Sequence, residues 1–310
     1  VFVLGETARS QNFSLNGYSR LTNPLLQKES VTSFTHVKSC GTSTAESLPC
    51  MFSHLGRSGF NDRENEFENL LDVLSRSGYA VLWIDNQSGC KEQCARIPSV
   101  STSELKLPAH CSTGECRDTV MLERIADEIA QLPAEKRVRG TVVVLHQMGS
   151  HGPAYYKRTP SEFKSFKPEC TDSSLSQCER SEIVNAYDNT IVFTDYFLSR
   201  VIAWLKSQEK HNTTAMLYVS DHGESLGEKN MYLHGLPYSV APPEQTTVPM
   251  ITWLSPSFEK TSRISTRCLQ MRRDKALSHD NLFHSVLGLM AVQTSVYRRD
   301  LDFFATCEGQ

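Results

Sequence analysis

Asp221 and His222 stand side by side where the apolar run Leu217-Tyr218-Val219-Ser220 gives way to Gly223-Glu224-Ser225. The run reads as a buried strand and its sequel as a helix-like turn, so a carboxylate and an imidazole arrive together at a strand's end. One hard oxygen beside one borderline nitrogen is a donor mix that zinc accepts. Alone, the pair reads more readily as a capping aspartate beside a surface histidine than as a metal site. Four further places supply what a reactive site would still lack. Glu6 follows Val1–Leu4 in Gly5-Glu6-Thr7-Ala8-Arg9, and the hydroxyls of Thr42, Ser43 and Thr44 precede Ala45-Glu46 between Cys40 and Cys50. Lys91 ends the polar loop after Tyr79–Ile84, and His146 and His151 follow Gly140–Leu145 in His146-Gln147-Met148-Gly149-Ser150-His151-Gly152-Pro153. Glu224 and His234 lie just beyond Asp221 itself.

Two carboxylates, an imidazole and a hydroxyl make a four-ligand site suited to zinc. A metal bound directly to a Thr or Ser hydroxyl lowers its pKa and makes it a nucleophile near neutral pH. The remaining histidines and Lys91 then flank a phosphoryl group, and the chemistry is phosphoryl transfer through a covalent phospho-enzyme. Small, hydroxylic residues ahead of Ala45-Glu46 also suggest a helix start, whose free N–H groups favour an anion, although Thr42 or Ser43 serves equally as a plain N-cap.

The elements that must position these residues alternate along the chain. Strands are expected over 1–4, 79–84, 140–145, 214–220 and 248–253. Helices are expected over 64–77, with Phe67, Leu70, Leu71 and Leu74 on one face, over 117–132, over 180–207, and from a cap near Ser278 to Met290. Such alternation predicts an α/β fold with a mostly parallel sheet and helices on both faces, where ligands sit at the carboxyl ends of strands. Residues 92–116 read as a cysteine-pinned loop containing Pro98 and Pro108. The basic residues from Lys260 to Lys275 read as a solvated face. His279 and His284, five apart, are assigned structural roles.

The chain has 310 residues, 39% hydrophobic and 22% charged, with a formal net charge of −3. One domain spanning 1–310 accommodates that length, and the charge disfavours nucleic acid and other polyanions. Ten cysteines can be drawn in chain order as five pairs, Cys40–Cys50, Cys90–Cys94, Cys111–Cys116, Cys170–Cys178 and Cys268–Cys307. The even count in small loops suggests disulfides and an oxidising compartment, spacing alone leaves the connectivity open, and structural zinc at Cys90/Cys94 and Cys111/Cys116 is the alternative. The abrupt start inside an apolar strand, with no run of eighteen apolar residues anywhere, looks like an excised domain whose upstream membrane segment is missing.

Together, the motifs around Glu6, Thr42–Thr44, His146–Pro153 and Ser220–Glu228 resemble the periplasmic catalytic domain of the lipid A phosphoethanolamine transferases, a group that includes the mobile colistin resistance enzymes. The resemblance runs from Val1 to about Trp253. It implies an alkaline-phosphatase-like (sulfatase-like) three-layer sandwich with zinc held by Glu6, Thr44, Asp221 and His222. Thr44 would be the nucleophile, taking phosphoethanolamine from phosphatidylethanolamine and passing it to a lipid A phosphate. His151 and His234 would bind the substrate phosphate or a second zinc, and Lys91, His146 and Glu224 would line the pocket. It further implies a monomer tethered to the periplasmic face of the bacterial inner membrane through an N-terminal transmembrane domain absent from this chain. A relative acting on core sugar or periplasmic glucan, or a phosphodiesterase or phosphatase, is the alternative. Sulfate-ester chemistry needs a cysteine or serine in C/S-x-P-x-R, and Cys40-Gly41-Thr42-Ser43-Thr44 lacks both the proline and the arginine.

Overall fold

Phe2–Gly5 (β1) is apolar on both faces, with Phe2 and Leu4 in one hydrophobic core and Val3 in another, so it can only be an interior strand. The computed structural model, which describes residues 1–105, 111–112 and 115–309, places it inside an eight-stranded sheet. The other strands are Val31–Lys38 (β2), Ala80–Asp85 (β3), Ser99–Ser101 (β4), Thr141–His146 (β5), Ala215–Ser220 (β6), Thr247–Leu254 (β7) and Leu277–Ser278 (β8). Their spatial order is β8-β2-β7-β6-β1-β5-β3-β4. All neighbours run parallel except that β7 is antiparallel to both β2 and β6. The mostly parallel sheet is as expected, and β7 brings its start rather than its end to the ligand-bearing edge.

Register puts the candidate residues in step. Gly5 pairs with Ser220 and Leu4 with both Val219 and His146, while Asp85 pairs with His146. Glu6, Asp221, His146 and Asp85 therefore emerge at one edge. One face is covered by helix Arg180–Gln208 (α3), whose Ile183, Tyr187, Ile191 and Phe197 join the core of Val3, Leu145 and Tyr218. The opposite face packs under helices Thr44–Met51 (α1), Leu70–Arg76 (α2) and Leu282–Leu289 (α4).

Several expectations need correction. The helix expected over 64–77 begins only at Leu70, where Asn69 forms a capping box with Asp72, and Phe67 is 50% exposed rather than core. The helix expected over 117–132 is two short ones, Val120–Glu123 and Ile125–Ala130, interrupted where Arg124 leaves helical geometry at φ −121° and ψ 2°. Gly223-Glu224-Ser225 is not helical: Ser225–Leu226 is a short strand paired antiparallel with Tyr232–Leu233. The strand β2 was not foreseen. All five cysteine pairs form as disulfides in chain order. Pro108 lies outside the described residues. Among the described residues, no helix is long and apolar enough to cross a membrane.

Candidate active site

Glu6, Asp221 and His222 are wholly buried, and each offers a ligand atom within 4.8 Å of the others'. Main-chain geometry holds them there. Asp221 N–H donates to the Gly5 carbonyl at 3.0 Å, and Asp221 Oδ1 accepts from Thr7 N at 3.1 Å and His222 N at 2.8 Å. Gly149, at φ +52°, lets the loop after β5 lie directly on Glu6: a Cβ there would stand 2.7 Å from the Glu6 carbonyl oxygen. Gly223 is equally constrained, since its Cβ would meet the Glu244 carbonyl oxygen at 2.1 Å, at the approach to β7.

The protonation pattern of the cluster follows from its partners. His222 Nδ1 lies 2.9 Å from the Gly223 carbonyl, which can only accept, so Nδ1 carries a proton. His222 Nε2 then faces Glu6 Oε1 at 3.3 Å and Asp221 Oδ2 at 3.5 Å. Burial would raise the Glu6 carboxyl, yet the hydrogen bond and charge of His222 hold it well below the usual carboxylate range. Burial, followed by the charge of Glu6, pushes Asp221 up. Burial opposes a charged His222, but Asp221 and Glu6 outweigh it and raise the imidazole to about 10. Two buried carboxylates thus share one imidazole, and Asp221 Oδ2 has no hydrogen-bond partner among the described residues. A buried anion left with an orphaned oxygen, beside an imidazole whose Nδ1 is fixed by a carbonyl, fits a bound zinc ion.

Thr44 is the first residue of α1, and its Oγ1 donates to Glu6 Oε2 at 2.9 Å and lies 3.5 Å from His222 Nε2. Ser43 occupies the N-cap position without using its side chain, and Thr42 Oγ1 is tied to the Leu236 carbonyl at 2.6 Å. The three hydroxyls are thereby told apart. Glu224 is buried, accepting from Tyr155 Oη and from His234 Nδ1, the latter at 2.8 Å. It orients His234, whose ring centroid lies 4.3 Å from that of His222 and 5.9 Å from that of His151. His146 has Nδ1 on Asp85 Oδ2 at 2.9 Å and its ring against Trp83, while its buried Nε2 has no hydrogen-bond partner among the described residues. The ammonium of Lys91 is engaged by Ser88, at 3.3 Å from its carbonyl and 3.0 Å from its hydroxyl.

Two residues escape sequence reasoning. Gln87, in the loop singled out for Lys91, donates from Nε2 to Glu6 Oε2 at 2.9 Å. His279 Nδ1 accepts from Cys40 N at 3.0 Å, and its Nε2–H donates to the Ser220 carbonyl at 3.0 Å. It thus ties the Thr44 loop to the strand carrying Asp221. Both contacts require the neutral ring, which burial enforces by lowering its pKa to about 3.

The Sulfatase family model matches residues 1–292. This chain belongs to the sulfatase family. Within that family it is 45% identical over 309 residues to the phosphoethanolamine transferase EptA of Salmonella typhimurium, covering 99% of this chain and 56% of the relative. It is 42% identical over 300 residues to the phosphatidylethanolamine transferase Mcr-1 of Escherichia coli, covering 94% and 53%. The soluble domain of lipooligosaccharide phosphoethanolamine transferase A from Neisseria meningitidis superposes with a TM-score of 0.92 at 40% identity, covering 99% of this chain and 92% of that one. Against the integral membrane form of the same Neisseria protein, the TM-score is 0.93 and the chain covers 57%. This sulfatase-family domain spans about half the length of the curated relatives that it matches.

Proposed function

We propose that this chain is the catalytic part of a zinc-dependent phosphoethanolamine transferase, moving the group from phosphatidylethanolamine to a phosphate of lipid A through a covalent intermediate on Thr44. The observation that carries the reading is the placement of Thr44 Oγ1, 2.9 Å from Glu6 Oε2 and 3.5 Å from His222 Nε2, at the first turn of α1 and against a cluster with surplus negative charge. The names of the relatives supply the transferred group.

Glu6, Thr44, Asp221 and His222 would hold the zinc, which when bound supplies Lewis acidity that favours the ionised hydroxyl and offsets charge on phosphoryl oxygens. The Thr44 oxygen attacks the phosphorus of the donor diester, its proton leaving along the bond to Glu6. The phosphorus–oxygen bond to diacylglycerol breaks, and that oxygen takes up a proton. His151 and His234 flank this position, with Glu224 fixing the tautomer of His234. An oxygen of the acceptor phosphate then attacks the same phosphorus, and the Thr44 oxygen leaves and regains a proton. Free N–H groups at the start of α1 favour the phosphoryl charge in both steps. The new ethanolamine ammonium lowers the negative charge of the lipid surface, which would weaken binding of cationic polymyxins such as colistin.

In this reading the domain works at the periplasmic face of the inner membrane, tethered through a preceding membrane domain, as one 1–310 unit and as a monomer. Its five disulfides suit that compartment. The test is release of diacylglycerol from phosphatidylethanolamine by the protein stripped of metal and then reloaded. Zinc should restore release. Equal release with and without zinc would overturn the metal dependence, and accumulation of free phosphoethanolamine despite a lipid A acceptor would favour a hydrolase.

A further inference from the structure

A cavity of about 210 Å³ adjoins the catalytic loop, with Met148 and Gly149 forming part of its wall. Arg158 joins this wall to the site: its Nε donates to the His151 carbonyl at 2.9 Å, and its Nη1 pairs with Glu115 at 2.6 Å. The carboxylates around the cavity already have donors. Glu115 is held by Arg158. Asp118 accepts from Asn86 Nδ2 and Met148 N at 2.7 Å, from Gly149 N at 3.1 Å and from Gln147 Nε2 at 3.2 Å. What remains is donors. Arg117 and Lys157 also line the cavity, and neither meets a carboxylate among the described residues. Thr159 lines it too, is 4% exposed, and its Oγ1 has no hydrogen-bond partner among them.

A buried hydroxyl without a partner costs free energy unless something in the adjoining space satisfies it. Two cations with no carboxylate partner among the described residues, lining the same cavity as that hydroxyl, select an anion with several acceptor oxygens. The volume is below the roughly 300–1,000 Å³ that encloses a whole drug-sized ligand, so it suits one headgroup and not a whole lipid. We infer that this cavity binds a phosphate group, the second phosphate of an anionic glycolipid acceptor whose reacting phosphate lies at Thr44. The assignment of the acceptor rests on the transferase reading above; the binding of phosphate does not.

The first arm titrates inorganic phosphate into the metal-stripped chain, where no zinc is present to bind it. One phosphate should bind, and Arg117→Ala with Lys157→Ala should weaken it about tenfold, solvent screening having reduced each charge's share. Thr159→Val should weaken it about threefold without lowering the melting temperature, because the hydroxyl has no internal bond to lose. Absence of binding, or equal affinity in the wild type and the double variant, would mean that the cavity holds only water and would overturn the proposal. The second arm follows the zinc-loaded protein with a lipid acceptor carrying two phosphates. A tenfold higher acceptor KM in the double variant, with donor cleavage unchanged, supports the acceptor as the source. Unchanged KM alongside lost phosphate binding overturns that source in favour of free phosphate. If the wild type cleaves no donor, the transferase reading fails and the phosphate titration still stands by itself.

Discussion

Two buried acid–histidine groups occupy nearby strand ends and differ in how many carboxylates meet each imidazole. At the ends of β3 and β5, Asp85 meets His146 alone, at 2.9 Å, and also accepts from Trp83 Nε1 at 2.8 Å and from the N–H groups of Gln87 and Gly89 at 3.0 Å each. Those contacts, led by the His146 hydrogen bond, overcome burial and hold the Asp85 carboxyl below its usual range. At the ends of β1 and β6, Glu6 and Asp221 share His222, and an oxygen of Asp221 is left without a hydrogen bond among the described residues. In the first group both carboxylate oxygens are hydrogen-bonded, His146 Nε2 being buried without a partner among the described residues, and the group organises a loop that carries Gln87. The second is incomplete by about one positive charge. Similar side chains at similar places therefore do different work, and the number of anions per imidazole decides which.

The largest contrast should come from parallel substitutions in the two groups. Asp221→Asn should abolish zinc binding and reduce turnover by roughly a thousandfold or more, on the scale of losing a member of a catalytic unit. It should also remove the stabilisation by zinc, about 2.7 kcal/mol at a zinc concentration one hundred times Kd, read as the loss of the zinc-induced rise in melting temperature. Asp85→Asn should keep that rise while lowering stability by ~1–3 kcal/mol, because an amide NH2 must replace one of two oxygens that each accept two hydrogen bonds, from Trp83 and His146 at Oδ2 and from the Gln87 and Gly89 N–H groups at Oδ1. Zinc stoichiometry by elemental analysis and thermal unfolding with and without zinc check both. Zinc retained in Asp221→Asn, or lost in Asp85→Asn, would break the distinction.

A smaller effect separates His279 from the charged imidazole of His222. The folded pKa of His279 lies near 3, below an unfolded value near 6.5, so the unfolded chain binds the extra proton between those values. Stability from this group is complete above about pH 6.5 and is lost as pH falls toward 3, by up to ~3 kcal/mol near pH 4. His279→Gln should flatten that part of the stability–pH curve. If the ring holds the Thr44 loop in position, the variant should also lower kcat while leaving zinc affinity and donor KM in place. Denaturant unfolding from pH 4 to 7 checks the first expectation, and an unaltered slope would contradict it.

The strands that carry ligands were legible because each is buried on both faces and ends abruptly in polar residues: Val1–Leu4 before Glu6, and Leu217–Ser220 before Asp221. Val31–Lys38 was not, because it mixes Thr, Ser, His and Lys with three apolar residues, and its exposed side chains leave no continuous apolar run. The helix from Leu70 was overextended because Phe67 falls on the right spacing, although the Asn69–Asp72 capping box sets the start. Glu6, Thr44, Asp221 and His222 could be named from strand ends and from the family resemblance. His279 could not, since it reaches the main chain of Cys40 and Ser220, and contacts to backbone atoms leave no residue pattern at the far end. His146 sits at a strand end like the others, and its pairing with Asp85, 61 residues away in the chain, leaves no pattern in the sequence.

The most direct test of the account is the mass of the intact, zinc-loaded protein after incubation with phosphatidylethanolamine in the absence of acceptor, followed by peptide mapping. A gain of one phosphoethanolamine group is expected on the peptide containing Thr44, absent without zinc and absent in Thr44→Ala. An adduct on another residue, or full transfer to lipid A by Thr44→Ala, would contradict it.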